Sequence, residues 1–124
     1  MTTITDVRTI GVDVSDQDRA LAFFTEALGF ETRLDAPISP TMRWIEVAPP
    51  GAVTSIALNT AEDAQDIGTD TGIRFTVADA AAERSAMEAA GVAVGELLQW
   101  PDVPPMFTFD DPDGNRFYVV EAMS

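Results

Sequence analysis

A chain of 124 residues, 46% of them hydrophobic, is long enough to bury a core and short enough for one compact domain. Its net charge of −14 repels phosphate backbones and argues against a nucleic-acid partner, and no apolar run reaches the length of a membrane-spanning helix. With neither cysteine nor histidine, the chain can form no disulfide, no thiolate or imidazole metal site and no nucleophile–histidine pair.

The opening residues Met-Thr-Thr-Ile-Thr-Asp lack the basic start and apolar stretch of a secretion signal, so a cytoplasmic location is expected. Residues 7–14 alternate, with Ile10, Val12 and Val14 on one face and Thr9, Gly11 and Asp13 on the other, the pattern of a half-buried strand. Ser15 or Asp16 then supplies a helix N-cap, with Asp18 in the first turn. Leu21, Phe24 and Leu28 follow at helical spacing up to a stop at Gly29. A short strand begins at Phe30, and residues 35–41, which hold Pro37 and Pro40, read as a loop. Met42–Val47 reads as a strand with Trp44 and Glu46 facing away from Ile45 and Val47. After the turn Pro49-Pro50-Gly51, Ser55–Asn59 forms the last strand of this half.

The polar stretch 60–71 reads as a linker, and the same order then recurs. Ile73, Phe75 and Val77 alternate with Gly72, Arg74 and Thr76, and Asp79 caps an Ala-rich helix that ends at Gly91. Residues 92–98 read as a strand and Trp100–Pro105 as a loop. Met106–Phe109 and Arg116–Glu121 are strands flanking the turn Asp111-Pro-Asp-Gly114. Val14 and Val77 stand 63 residues apart, as do Gly51 and Gly114, which marks a duplicated unit. The expected fold is α+β: two tandem βαβββ modules, 5–60 and 71–122, forming an open cup-like mixed β-sheet barrel with helices outside.

One strand face carries Thr9, Gly11, Asp13, Trp44, Glu46, Ser55, Asn59, Arg74, Thr76 and Tyr118. It is too polar for a dry core and too rich in aromatic and arginine side chains for ordinary surface, which suggests a ligand-lined concavity. Asp13 and Glu46 could act as a base or anchor a cationic group; the competing role is an interior ion pair with Arg74 or Arg43. Arg74 suits a carboxylate or phosphate clamp, or a salt bridge across the cavity. Tyr118 could donate to a ligand oxygen or simply fill space. Trp44 and Trp100 could stack on a flat or cationic ligand, or serve a core or subunit contact. Met106, after Pro104-Pro105, lines a cavity mouth or packs within its strand. Asp16, Asp79 and the Asp111–Gly114 turn are read as architectural.

Val-x-Val-Ser-Asp-Gln-Asp-Arg-Ala-Leu-Ala-Phe-Phe-(x)3-Leu-Gly-Phe (12–30) and Phe-x-Phe-Asp-Asp-Pro-Asp-Gly-Asn-x-Phe (107–117) resemble signatures of the vicinal oxygen chelate superfamily. That group includes glyoxalase I, extradiol dioxygenases, fosfomycin-resistance enzymes and bleomycin-binding proteins. The resemblance spans essentially the whole chain and implies a single glyoxalase/bleomycin-resistance-like domain over 1–124, on a scaffold that hosts several chemistries. In metal-dependent members, one ligand sits seven residues before the Asp that opens each helix, a rule that points here to Thr9 and Gly72. Another falls four residues after the turn glycine, pointing to Tyr118, with Ser55 or Ala57 as its counterpart in the first half. Those side chains lack the converging imidazole, carboxylate or thiolate donors that a divalent metal needs, so no metal and no cofactor are expected. The resemblance then implies a metal-independent small-molecule binding protein of the bleomycin-resistance kind, sequestering an antibiotic or metabolite; the acidic balance would suit a cationic ligand, and Trp44, Trp100 and Tyr118 a planar aromatic one. The alternative is a lyase- or isomerase-type, glyoxalase-like enzyme with Asp13 or Glu46 as base and Arg74 or Tyr118 stabilising negative charge. Proteins of this kind commonly pair, so a two-fold homodimer is expected.

Overall fold

The computed structural model describes residues 1–61 and 63–123, and the chain divides into two compact units, Met1–Asp66 and Ile67–Ser124. Glu62, within the expected linker, lies outside the described residues. Among the described residues no helix is long and apolar enough to cross a membrane.

In the first unit, β1 (Thr9–Val14) leads to α1 (Gln17–Ala22), which continues through a wider π-type turn over Phe23–Ala27. Three strands follow: β2 (Glu31–Ser39), β3 (Met42–Ala48) and β4 (Ser55–Thr60). The sheet order is β1-β4-β3-β2, with β1 parallel to β4 and the other pairs antiparallel. Asp16 is the N-cap, its carboxylate accepting the Arg19 amide at 3.0 Å, which resolves the choice between Ser15 and Asp16. Val12, Val14, Ile45, Val47, Ile56 and Leu58 are buried with Ala20 and Phe24, so the strands' aliphatic face meets the helix. Gln17 anchors that contact. Its amide donates to the Arg43 carbonyl at 2.7 Å and the Leu58 carbonyl at 2.8 Å, and its Oε1 accepts from the Arg43 amide at 3.2 Å.

The second unit repeats the order with β5 (Asp70–Val77), α2 (Ala80–Ala89), β6 (Ala93–Val94), β7 (Met106–Asp110) and β8 (Arg116–Glu121), arranged β5-β8-β7-β6. The chain is therefore α+β, built as two βαβββ modules, and each sheet is open. Phe75, Phe109 and Phe117 stack with centroids 5.2 to 6.1 Å apart in its core. Two carboxylates cap α2: Asp79 accepts from Ala82 N at 3.1 Å and Glu121 from Ala80 N at 3.1 Å. The Asp111–Gly114 turn is held from inside. Buried Asp111 accepts from the amides of Asp113 and Asn115 and from the Asn115 side chain, whose oxygen in turn accepts from Gly68 and Thr69.

Two expectations for strands need correction. Residues 35–41 are not a loop: β2 runs through Pro37 to Ser39, because it lies at the sheet's edge and bonds only to β3, where a missing N–H costs little. The strand expected over 92–98 shrinks to Ala93–Val94 plus one isolated bridge between Leu98 and Met106. Replacing Gln17 with Leu leaves three backbone groups of Arg43 and Leu58 without their partner. Urea denaturation should show a loss of about 2–3 kcal/mol, against less than about 0.5 kcal/mol for the exposed neighbour change Asp18→Asn.

Candidate functional site

The face of β3 turned away from Ile45 and Val47 carries Trp44 and Glu46, two residues apart as a strand's alternation requires. Glu46 is buried, and a buried carboxylate persists only if its lone pairs are filled. Ser55 Oγ, at the start of β4, donates to its Oε1 at 2.6 Å, and Thr9 Oγ1 on β1 approaches the same oxygen at 3.4 Å. Trp44 Nε1 donates to Oε2 at 2.7 Å and Arg8 NH1 at 3.2 Å. A carboxylate has about four acceptor positions; Ser55, Trp44 and Arg8 take three, and the Thr9 hydroxyl, also 3.1 Å from Ser55 Oγ, stands beside the fourth. Hydrogen bonds from Ser55 and Trp44, with the charge of Arg8, hold the Glu46 carboxyl below its ordinary value against the opposing effect of burial. The arginine partner is Arg8, rather than the Arg74 or Arg43 expected from sequence. Arg43 instead pairs with Asp18 at 2.6 Å and Asp35 at 3.1 Å.

Beside this cluster lies a cavity of about 340 Å³ lined by Arg8, Arg33, Leu34, Glu46, Val53 and Ser55. Ser55 and Thr9 are register partners on the parallel β1–β4 pair, their hydroxyls 3.1 Å apart, so Ser55 rather than Ala57 stands opposite Thr9. Trp44 is fixed by its bond to Glu46 yet remains more than a third exposed, which leaves ring surface open to solvent. Asp13, at the far end of β1 opposite Asn59, does not line the cavity. A wider groove of about 580 Å³ runs between the start of α1 and the β2–β3 turn, where Asp18 is already paired with Arg43.

The second unit holds a separate polar group. Tyr118 OH donates to Asp70 Oδ2 at 2.6 Å, a bond that lowers the Asp70 carboxyl and raises the Tyr118 phenol. The Arg74 guanidinium lies 4.7 Å from the centroid of the Tyr118 ring and donates to the Gly72 carbonyl at 2.8 Å. Gly72 does not stand opposite Tyr118. Asp70 pairs with Arg116, but the register then slips by two residues at Gly72 (φ +68°), so Arg74 becomes the partner of Tyr118. Met106 is half-buried, pairing with Val120 and bridging to Leu98, and Trp100 is exposed on the preceding loop. Of the expected site residues, the structure thus joins Trp44 with Glu46 and Arg74 with Tyr118. Sequence reasoning passed over Arg8 and Arg33. Their only signal is position: Arg8 immediately precedes the polar face of β1, and Arg33 sits on the strand expected from Phe30, whose sheet neighbour the sequence does not reveal.

At the positions where the resemblance would place metal ligands, the first unit offers two hydroxyls, both engaged with the Glu46 carboxylate. The second offers a phenol already bonded to Asp70, beside the positive charge of Arg74. Among the described residues no group of three or more His, Cys, Asp or Glu could hold an ion. This donor set does not fit a divalent cation.

Since the folded Glu46 carboxyl titrates below its unfolded value of about 4.3, its ionised form stabilises the fold above that pH and the contribution fades as pH falls through the folded value. Glu46→Gln should lose about 1–3 kcal/mol at neutral pH by chemical denaturation. The gap from wild type should narrow below about pH 4.3; a gap unchanged down to about pH 3 would show that the charge is not what the cluster stabilises.

The sequence profile of the Glyoxalase/Bleomycin resistance protein/Dioxygenase superfamily matches residues 7–119. The uncharacterised protein YetH of Bacillus subtilis (strain 168) is 34% identical over 124 residues, covering 95% of this chain and 99% of its own. Among solved structures, TnmS3, an antibiotic binding protein from Streptomyces sp. CB03234, is 32% identical with a TM-score of 0.89, over 99% of this chain and 100% of its own. A member of the same superfamily from Sphaerobacter thermophilus DSM 20745 is 35% identical, also with a TM-score of 0.89, over 98% and 100%. With that profile spanning nearly the whole chain and the duplicated βαβββ topology beneath it, this protein belongs to the Glyoxalase/Bleomycin resistance protein/Dioxygenase superfamily.

Proposed function

We propose that this chain is a metal-independent small-molecule binding protein, acting in the cytoplasm to sequester an antibiotic or metabolite. The observation that carries the reading is the cavity beside Glu46, with apolar walls from Leu34 and Val53 and a polar wall whose geometry is fixed before any ligand arrives. A wall held in place by its own hydrogen bonds favours binding because little side-chain entropy remains to be lost there. The likeness to an antibiotic binding protein at 32% identity supports the same reading. An enzymatic role for Glu46 as base is less well supported, because a carboxylate held below its ordinary value and surrounded by four donors is a weak proton acceptor at neutral pH.

Thermal-shift measurements against planar aromatic antibiotics, cationic glycopeptides and neutral metabolites test this directly. A true ligand at a hundred times its Kd adds about 2.7 kcal/mol and raises Tm by several degrees. Silence across the whole panel would refute the reading.

The proposal includes a homodimer. Leu34, Ile38, Trp44 and Val53, all in the first unit, are 37 to 68% exposed, apolar side chains that a second copy would shield from water. Light scattering coupled to size exclusion should return twice the chain mass of 13.3 kDa, and a monomer mass would remove the dimer from the proposal.

A further inference from the structure

Most of the unspent hydrogen-bonding capacity on the charged side chains that line the first-unit cavity belongs to donors. Glu46, the one carboxylate among the described residues that line it, has acceptor positions taken by Ser55, Trp44 and Arg8, with the Thr9 hydroxyl 3.4 Å from Oε1. The two arginines that line it are only partly engaged. Arg8 uses NH1 for Glu46 and Thr9, and its Nε and NH2 take no protein acceptor among the described residues; its side chain is 73% exposed. Arg33 gives Nε to Glu31 at 2.7 Å and one NH2 proton to the Pro49 carbonyl at 3.1 Å, which leaves NH1 without a protein acceptor among the described residues. A guanidinium carries five N–H donors and cannot lose its charge, so each arginine keeps several donors for an incoming group. Leu34 and Val53 complete the wall with aliphatic surface.

Resting on the binding function proposed above, we infer that this cavity selects a small apolar molecule bearing a carboxylate, phenolate or comparable acceptor edge, held by Arg8 and Arg33 against Leu34 and Val53. A cationic ligand would meet two guanidinium groups, each already paired with a carboxylate (Arg8 with Glu46, Arg33 with Glu31), and little acceptor capacity left on Glu46. The acidic balance of the whole chain does not set this preference, because charges beyond roughly 10 Å are largely screened while groups in contact are not. Arginine also pairs with carboxylates through two parallel bonds, which fixes the ligand's orientation as well as its sign.

Isothermal titration calorimetry with three matched probes separates the possibilities: 2-naphthoate, its neutral carboxamide, and the protonated 2-naphthylmethylamine. The expected order is naphthoate tightest, at least about tenfold above the amine, with the amide between. Arg33→Met, which leaves the Glu46 cluster untouched, should weaken naphthoate at least about fivefold and the amide by less than about twofold. Arg8→Met should do the same, with circular dichroism confirming that each variant folds. Equal or tighter binding of the amine, or naphthoate binding unchanged in both variants, would overturn the inference while leaving small-molecule binding intact. Should none of the three bind at about 1 mM, the inference falls alone if the antibiotic and metabolite panel still gives a ligand, and with the binding reading if it does not.

Discussion

Removing a carboxylate from water costs several kcal/mol, a penalty that only well-placed donors can offset. Glu46 meets it with donors drawn from β1, β3, β4 and the residue that precedes β1, so one acid ties together most of the first unit's sheet on the side away from α1. The polar wall of the cavity follows from that arrangement. The hydroxyls of Thr9 and Ser55 are turned toward the acid, the Trp44 indole is locked at its N–H end, and Arg8 is held at the rim by a single nitrogen. The carboxylate behaves as a scaffold whose charge is consumed internally. The chemistry presented outward is that of its neighbours.

The parts of the fold set by periodicity and capping were readable from the chain. Alternation of Ile10, Val12 and Val14 and of Ile73, Phe75 and Val77, the caps Asp16 and Asp79, and the 63-residue repeat all express local rules. β2 was misjudged because Pro37 is a breaker in general and harmless on an edge, and being an edge is a property of the sheet rather than of the segment. The site was legible only in outline. Alternation places Trp44 and Glu46 on one face, but nothing local reveals that Arg8 reaches Glu46 across 38 positions of sequence or that Gln17 is buried against two strands. The strongly negative composition suits cationic partners, but a sum over the surface does not say which charges line a given hollow.

The two units share an element order and a strand order but not their polar groups. In the first, a buried acid organises hydroxyls. In the second, Tyr118, Asp70 and Arg74 form a more open arrangement in which a phenol bridges to an acid and a guanidinium covers the ring.

One part of that difference, the guanidinium over the Tyr118 ring, has a geometric origin in the slip at Gly72. Side chains on a strand alternate sides, so sliding by one position would have turned the aliphatic row outward and destroyed the core. Sliding by two keeps Phe75 inward and changes only which residue faces Tyr118, delivering Arg74 where a strict copy of the first unit would have put a glycine. A duplicated sheet can thus exchange the occupant of a chosen spot without a single substitution and with its hydrophobic side intact, provided one residue tolerates the backbone detour.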